Sequence, residues 1–425
     1  MADTIFALSS GAPPAGIGVI RISGPAAAAA LQGLAGQLPE PRRARLALLK
    51  DPRNGAPLDR ALILWFPGPG TATGEDLAEL HCHGGRAVVA GLEDALRSFE
   101  GVRQAQPGEF TRRAFMNGRM DLNEVEGLAD LLAAETQQQR RAALLMSEGH
   151  FSRQLEQWQR SLLDLSAMAE AALDFSDEDD VPEHGAEERI GSGIAGLIGE
   201  VRSALSAPSA ERLRDGIRVV LAGPPNAGKS TLLNALVGRE AAIVSDVAGT
   251  TRDRIEVPAA LGGTAFLFTD TAGLREATSD VIEAIGMDRA RAALDSADII
   301  LWLGDPDEVP REDAIIVGAQ CDRHAVTRGL PISAVTGEGM ETLIALLLER
   351  AAALLPGVSE YALHERQREG VALLLGHLEN ALPQSDLLIV AEELRHARAA
   401  IDALTGRAST EHMLDRLFAG FCIGK

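Results

Sequence analysis

Gly223-Pro224-Pro225-Asn226-Ala227-Gly228-Lys229-Ser230 follows the apolar run Ile217-Arg218-Val219-Val220-Leu221 and precedes Thr231-Leu232-Leu233-Asn234-Ala235-Leu236. A glycine-rich octapeptide ending in Lys-Ser, set between a strand-like and a helix-like segment, is the P-loop pattern in the context it requires. Backbone N–H groups and the helix N-terminus suit phosphate oxygens, Lys229 reaches the terminal ones, and Ser230 offers its hydroxyl to magnesium. Asn226, Ala227, Gly228, Lys229, Ser230 and Thr231 are therefore the predicted phosphate cradle. The bland alternative, a glycine-rich turn that binds nothing, does not account for the flanking strand and helix.

Two further motifs lie downstream. Asp270-Thr271-Ala272-Gly273 follows Phe266-Leu267-Phe268, which puts a carboxylate at a strand end beside the magnesium, while Gly273 lets its N–H approach the terminal phosphate. Between this motif and the P-loop lies Gly249-Thr250-Thr251-Arg252-Asp253, where Thr251 is the candidate to complete the magnesium shell from a switch loop. Together the three motifs read as a GTPase rather than a generic ATPase.

Base recognition is reduced. Asn-Lys-x-Asp is expected after the next strand, but Ala314-Ile315-Ile316-Val317-Gly318 leads into Ala319-Gln320-Cys321-Asp322, so only the aspartate stands. Asp322 can accept from the guanine N1–H and exocyclic amine, two charge-assisted bonds that adenine cannot match. Ser333-Ala334, after Leu330-Pro331-Ile332, resembles the loop whose backbone contacts the guanine oxygen. Weaker affinity with guanine preference kept is the expectation; the alternative leaves Asp322 as a surface carboxylate. Leu274 occupies the place where Ras-like proteins carry a water-orienting glutamine, and Arg252 and Arg275 are more readily surface pairs than arginine fingers and are given no catalytic role.

Around this centre the segment from 213 to 355 alternates strands and helices, with Ile299-Ile300-Leu301-Trp302-Leu303 as a third strand, and reads as a doubly wound α/β domain. Residues 1–117 mix short strand-like runs with turns, among them Gly18-Val19-Ile20-Arg21-Ile22-Ser23 and Ala61-Leu62-Ile63-Leu64-Trp65-Phe66, and read as α+β. Segments 118–212 and 356–425 have helical texture: Leu155, Trp158, Leu162, Leu165 and Leu173 form one stripe, and Ile190, Ile194, Leu197, Val201 and Leu205 another, both expected to be core. The nucleotide domain is thus expected to be inserted in a helical domain. No internal repeat or low-complexity segment interrupts this order.

The chain has 425 residues, enough for two to four domains. A hydrophobic content of 46% mixed with 24% charged residues excludes a disordered or fibrous chain. No long uncharged apolar run and no signal-peptide order are present, so the cytoplasm is the expected compartment and no membrane contact is expected. Three cysteines, Cys82, Cys321 and Cys422, stand in unrelated contexts without zinc spacing, which argues against a disulfide framework. A formal net charge of -21 argues against gripping a nucleic-acid backbone over a broad face, so any RNA contact is local or supplied by a partner.

Motifs outside the nucleotide domain specify a family. They are Asp3-Thr4-Ile5, Gly18 to Gly24, Phe66-Pro67-Gly68-Pro69, Thr73-Gly74-Glu75-Asp76-Leu77-Ala78-Glu79-Leu80, His83-Gly84-Gly85, Pro107-Gly108-Glu109-Phe110-Thr111, Arg113-Ala114-Phe115, Asn117-Gly118-Arg119-Met120-Asp121-Leu122, and the terminal Phe421-Cys422-Ile423-Gly424-Lys425. In this order they resemble, from end to end, the MnmE (TrmE) family within the TrmE-Era-Septin-like GTPases. The resemblance implies a homodimer whose folate-binding-type N-terminal domain takes a tetrahydrofolate derivative, 5-formyl or 5,10-methylene, through Arg21, Glu79, Arg119 and Lys425. It implies an FAD-containing partner, MnmG (GidA), and joint attachment of an aminomethyl-type group to carbon 5 of the wobble uridine of tRNA, with tRNA met mainly through the partner. It also implies potassium activation: Asn226 and the loop Ser245-Asp246-Val247-Ala248-Gly249-Thr250 would hold the ion, with Asn226, Ser245, Val247 and Thr250 as ligands, and Glu283 would position the attacking water. Cys422 is either a nucleophile or redox partner or a small apolar side chain. Arg119 stands where the family commonly has lysine, and Ala72 where it commonly has an aromatic residue.

The chief reading is therefore a GTP-hydrolysing component of a tRNA-modifying complex. The alternative is a regulatory or assembly GTPase without modification chemistry, for which the N-terminal domain and the C-terminal motif would have no use. A folate-binding module with a degenerate nucleotide site is a third reading, opposed by the intact phosphate and magnesium residues.

Overall fold

The computed structural model describes residues 3–174, 185–206, 209–238, 256–270, 291–357, 361–406, 411–421 and 424. Its contacts divide the chain into two compact units, residues 1–129 with 405–425, and residues 130–404.

The first unit is built on a six-stranded sheet of β1 (Thr4–Leu8), β2 (Ile17–Ser23), β3 (Arg45–Lys50), β4 (Pro57–Phe66), β5 (Leu77–His83) and β6 (Val102–Gln104), in the order β3-β4-β5-β2-β1-β6. All pairings are antiparallel except β1 with β6. Period-two alternation explains the layering. Ile20 and Ile22 of β2, Ile63 and Trp65 of β4 and Leu80 of β5 turn into a core shared with Leu31 and Leu34 of the helix Ala27–Ala35 and Leu92 and Leu96 of the helix Arg86–Arg97. Arg21 and Glu79, at the intervening positions, are register partners on the other face.

The helix Glu411–Ala419 also belongs to this unit, because Leu414, Phe418 and Phe421 form one apolar cluster with Leu122 and Val125. Gly108 allows the close approach: its φ is +68°, and a Cβ there would stand 2.3 Å from the Phe418 carbonyl oxygen. Sequence texture groups 118–129 and 405–425 with the other helices, whereas these contacts group them with the N-terminal sheet.

The second unit contains two cores. One is the expected doubly wound sheet: β7 (Ile217–Ala222), β8 (Glu256–Leu261), β9 (Thr264–Asp270), β10 (Ile299–Trp302), β11 (Ile315–Ala319) and β12 (Leu330–Ile332), in the order β12-β11-β10-β7-β9-β8. Only β8 is antiparallel to its neighbour. Ile217, Val219 and Leu221 share one core with Leu232 and Leu236 of the helix Lys229–Val237, Phe266, Phe268, Leu301, Val317, and Leu343 and Leu347 of the helix Met340–Ala352. The other core is helical. Phe151, Leu155, Trp158 and Leu162 of the helix His150–Asp174 and Ile190, Ile194, Leu197 and Val201 of the helix Ala186–Leu205 pack with Val371, Leu374 and Leu378 of the helix Glu365–Ala381 and Leu394, Ala397 and Ile401 of the helix Leu387–Thr405. This bundle draws on sequence from both sides of the nucleotide sheet, so the inserted arrangement is observed. Each fully buried leucine or phenylalanine here contributes about 1.5–3 kcal/mol.

No helix among the described residues is long and apolar enough to cross a membrane.

Candidate functional site

The phosphate cradle begins where β7 leaves the centre of its sheet. Gly223 has φ +147°, and a Cβ on it would stand 2.9 Å from the Leu303 carbonyl carbon, so the chain turns close against the end of β10. Asn226 takes φ +63°, uncommon outside glycine and tolerated by asparagine, and Gly228 caps the helix Lys229–Val237 with φ +94°. Gly228 provides no side-chain cap, so the first N–H groups of the helix point into the loop, where an anion is favoured. Lys229 is buried, and its ammonium donates to the carbonyls of Gly223 at 3.0 Å and Pro224 at 2.7 Å, arched over the loop. Asn226, Ser230 and Thr231 are exposed on the same loop and first turn, with Ala227 half-buried.

Parallel pairing of β7 with β9 sets Leu221 opposite Asp270, which brings the end of β9 to the P-loop. The Ser230 hydroxyl donates to Asp270 Oδ2 at 2.5 Å. Asp270 is buried, so a hydroxyl and a carboxylate converge 40 residues apart in sequence. This all-oxygen pair fits a hard divalent cation such as magnesium, which binds through one or two protein oxygens and completes its shell with phosphate and water.

Asp322 and Ser333 are also brought together. A hydrogen bond from Ser333, followed by the charges of Arg323 and His324, holds the Asp322 carboxyl below the usual carboxylate range. Ser333 is fully buried; its N–H donates to the Glu338 carbonyl at 3.0 Å, and its Oγ accepts from the Thr336 N–H at 3.1 Å. Ala334 follows in the same turn. The Cys321 N–H donates to the Ile332 carbonyl at 3.1 Å, tying the two loops at their bases. Sequence reasoning missed Gln320. Its backbone sits at φ +60°, and its side-chain amide nitrogen would be 3.5 Å from a Cβ on Gly228. It thus packs beside the phosphate loop, at the place where the expected motif carries lysine. No α-helix lies among residues 303–332, where β11 and β12 are joined through turns.

In the N-terminal unit, Arg21 Nε and Nη2 donate to Glu79 Oε1 at 3.2 and 3.1 Å, and Glu79 Oε2 is 3.1 Å from His81 Nε2. The Arg21 and Glu79 side chains are 26% and 17% exposed, so both are largely sheltered yet reachable. Arg119 arrives from the chain after the helix Glu109–Met116 and donates through Nε to the Thr71 carbonyl at 3.1 Å. Asn117 Nδ2 donates to the Thr73 carbonyl at 2.7 Å, and the Thr73 hydroxyl meets Ser23 Oγ at 2.7 Å. Ser23 lies two residues from Arg21 on the same face of β2, so the loop 67–76 links Arg119 to the Arg21–Glu79 pair. A network missed in the sequence anchors this loop: Arg113 bonds Asp3, Glu75 and Glu109, and Arg103 bonds Asp3 and Glu109. Burial raises the Asp3 and Glu109 carboxyls, but the arginine bonds and charges outweigh it and both lie below their ordinary values.

Ser245, Asp246, Val247, Ala248, Gly249, Thr250, Thr251, Thr271, Ala272, Gly273, Glu283, Cys422 and Lys425 lie outside the described residues. Gly424 is described, and its backbone lies against Leu8 and Ser9 at the end of β1.

Two family models match. Residues 4–119 match the GTP-binding protein TrmE N-terminus, and residues 122–422 the MnmE helical domain. Among curated relatives, a protein of Rhizorhabdus wittichii named tRNA modification GTPase MnmE is 60% identical, with 100% of this chain and 97% of the relative covered. Proteins of the same name from Novosphingobium aromaticivorans and Zymomonas mobilis are 55% and 51% identical, covering 100% and 99% of this chain and 100% of each relative.

Proposed function

The chain belongs to the MnmE family of tRNA modification GTPases, and on that premise we propose that it is a potassium-activated GTPase that modifies carbon 5 of the wobble uridine together with an MnmG-like FAD protein. It is a GTP hydrolase acting in tRNA modification. The observation that carries the mechanism is the convergence of Ser230 and Asp270 beside an arched Lys229.

In this reading Ser230, Asp270 and Thr251 would hold magnesium, which would supply positive charge to offset that on the phosphates. Lys229 moves from the Gly223 and Pro224 carbonyls to the phosphate oxygens, and the N–H groups after Gly228 orient them. Asp322 accepts from guanine, Ser333-Ala334 close over its oxygen, and Gln320 packs where a lysine stem would lie. Leu274 cannot orient water, and by the resemblance to the family that role falls on Glu283. With no arginine finger assigned, positive charge in the transition state is needed from elsewhere. Asn226, exposed on the loop, would hold potassium with Ser245, Val247 and Thr250.

The N-terminal unit takes a tetrahydrofolate derivative, 5-formyl or 5,10-methylene. The Glu79 carboxylate suits the donor edge of a pterin, and Arg21, Arg119 and Lys425 suit the glutamate carboxylates. Gly424, the residue before Lys425 in sequence, lies at the end of β1. The protein acts as a homodimer in the cytoplasm, with tRNA held mainly by the partner; Cys422 is a candidate participant in the chemistry.

Hydrolysis rates in potassium and sodium salts at equal ionic strength test the reading. Turnover is expected to be faster in potassium, Asn226→Ala to abolish the difference, and Glu283→Ala to slow hydrolysis with nucleotide binding nearly intact. Equal rates in the two salts, with normal turnover by Glu283→Ala, would remove potassium and Glu283 from the mechanism.

A further inference from the structure

The helices Glu365–Ala381 and Leu387–Thr405 are joined by the short connection 382–386, and their apolar faces meet through Leu374, Leu378, Val390, Leu394 and Ala397. At the rim of this seam three side chains converge that neither the nucleotide chemistry nor the N-terminal site uses. Glu393 and His396, three residues apart, share one face of the second helix, and His377 comes from the first. His377 Nδ1 is 2.7 Å from Glu393 Oε2, and the two imidazole rings lie 5.2 Å apart between centroids. One ligand atom from each residue lies within 4.8 Å of the others. Tetrahedral ligands at zinc distances stand roughly 3.4 Å apart, a contraction within reach of side-chain rotation.

We propose that His377, Glu393 and His396 form a zinc-type divalent metal site that fastens these two helices, with water in the fourth position. Two imidazoles and one carboxylate favour zinc or a neighbouring transition metal over magnesium or calcium, which prefer all-oxygen shells. The His377 and Glu393 side chains are 23% and 22% exposed and His396 42%, so the site is sheltered on its core side and open to an entering ion. His396 Nε2 lies 3.3 Å from Glu392 Oε1, the kind of carboxylate partner that orients a ligating imidazole. Arg395 Nη2 lies 3.2 Å from the same nitrogen and can only donate to it, and Arg395 also bonds Glu392 at 2.9 and 2.6 Å. On metal binding the Arg395 contact to the ring gives way to an Nε2–H bond to Glu392, which leaves Nδ1 of His396 for the ion. In the metal-bound form the proton between His377 and Glu393 moves to Nε2 of His377, which frees the Nδ1 lone pair and the carboxylate oxygen for the ion.

The test uses the full chain, stripped with a chelator and kept in excess magnesium and GDP so that Ser230 and Asp270 stay occupied. Zinc is titrated by calorimetry and cobalt(II) by visible absorption. One equivalent of zinc, intense tetrahedral cobalt bands and a raised melting temperature are expected. His377→Gln and His396→Gln should each abolish the bands, while Glu392→Gln weakens binding roughly tenfold. GTP hydrolysis and far-ultraviolet circular dichroism should be unchanged in all three, which separates this site from the nucleotide chemistry. Absence of saturable binding, or binding undiminished in either histidine variant, would overturn the proposal.

Discussion

In the proposed mechanism Asp322 reads the base, and its carboxyl is held by one helper, the Ser333 hydroxyl, where the usual motif surrounds its aspartate with asparagine and lysine. Asp322→Asn keeps the shape but loses the charge on the acceptor. A hydrogen bond to a charged group is worth about 1.5–3 kcal/mol, so GTP affinity should fall by about ten- to a hundredfold and preference for guanine should relax. Competition among GTP, ATP and XTP measures this, and a variant that discriminates as the parent does would show that Asp322 does not read the base. In the N-terminal unit, Arg21→Ala and Arg119→Ala should each weaken binding of 5-formyltetrahydrofolate without changing GTP affinity. Calorimetry on both variants checks this; normal binding in both would place the folate elsewhere. The turn of the glycine-rich loop was legible from sequence because it rests on local backbone geometry, in which Gly223, Asn226 and Gly228 adopt positive φ. Gln320 was not legible, since its approach to Gly228 depends on how two separate loops meet in space.

At the scale of elements, the strands were readable from alternation and the long helices from their stripes. Ile20 and Ile22, and Trp158 and Leu162, are buried as their periodicity requires. A stripe identifies a face but not its partner. Helical texture runs on past 405, yet Leu414 and Phe418 pack with Leu122 and Val125, and Gly108 leaves room for the Phe418 backbone. Gly108→Ala tests this dependence. A Cβ in that position meets a backbone oxygen at 2.3 Å, and the left-handed conformation is itself unfavourable for alanine, so docking of the helix Glu411–Ala419 should weaken by about 1–3 kcal/mol. Hydrogen exchange within that helix should rise while exchange in β7 and β9 stays unchanged. Unchanged protection in 411–419 would mean that the contact with Gly108 does not control docking.

For the whole molecule, the order of an α+β unit, a helical bundle and an inserted nucleotide domain was legible because each segment has its own period, and the bundle core drawn from both sides of the nucleotide sheet agrees with it. What the sequence reading could not supply was the grouping of distant segments, which depends on side-chain contacts such as the Arg113 and Arg103 network around Asp3, Glu75 and Glu109. The central claim is that nucleotide turnover at Lys229, Ser230 and Asp270 serves modification of the wobble uridine. Mass spectrometry of wobble nucleosides, from cells lacking the protein and from the same cells complemented with the parent chain or with Asp270→Asn, tests it most directly. The account predicts that carbon-5 modification is lost without the protein, restored by the parent chain and not restored by Asp270→Asn expressed at an equal level; unchanged modification in cells lacking the protein would contradict it.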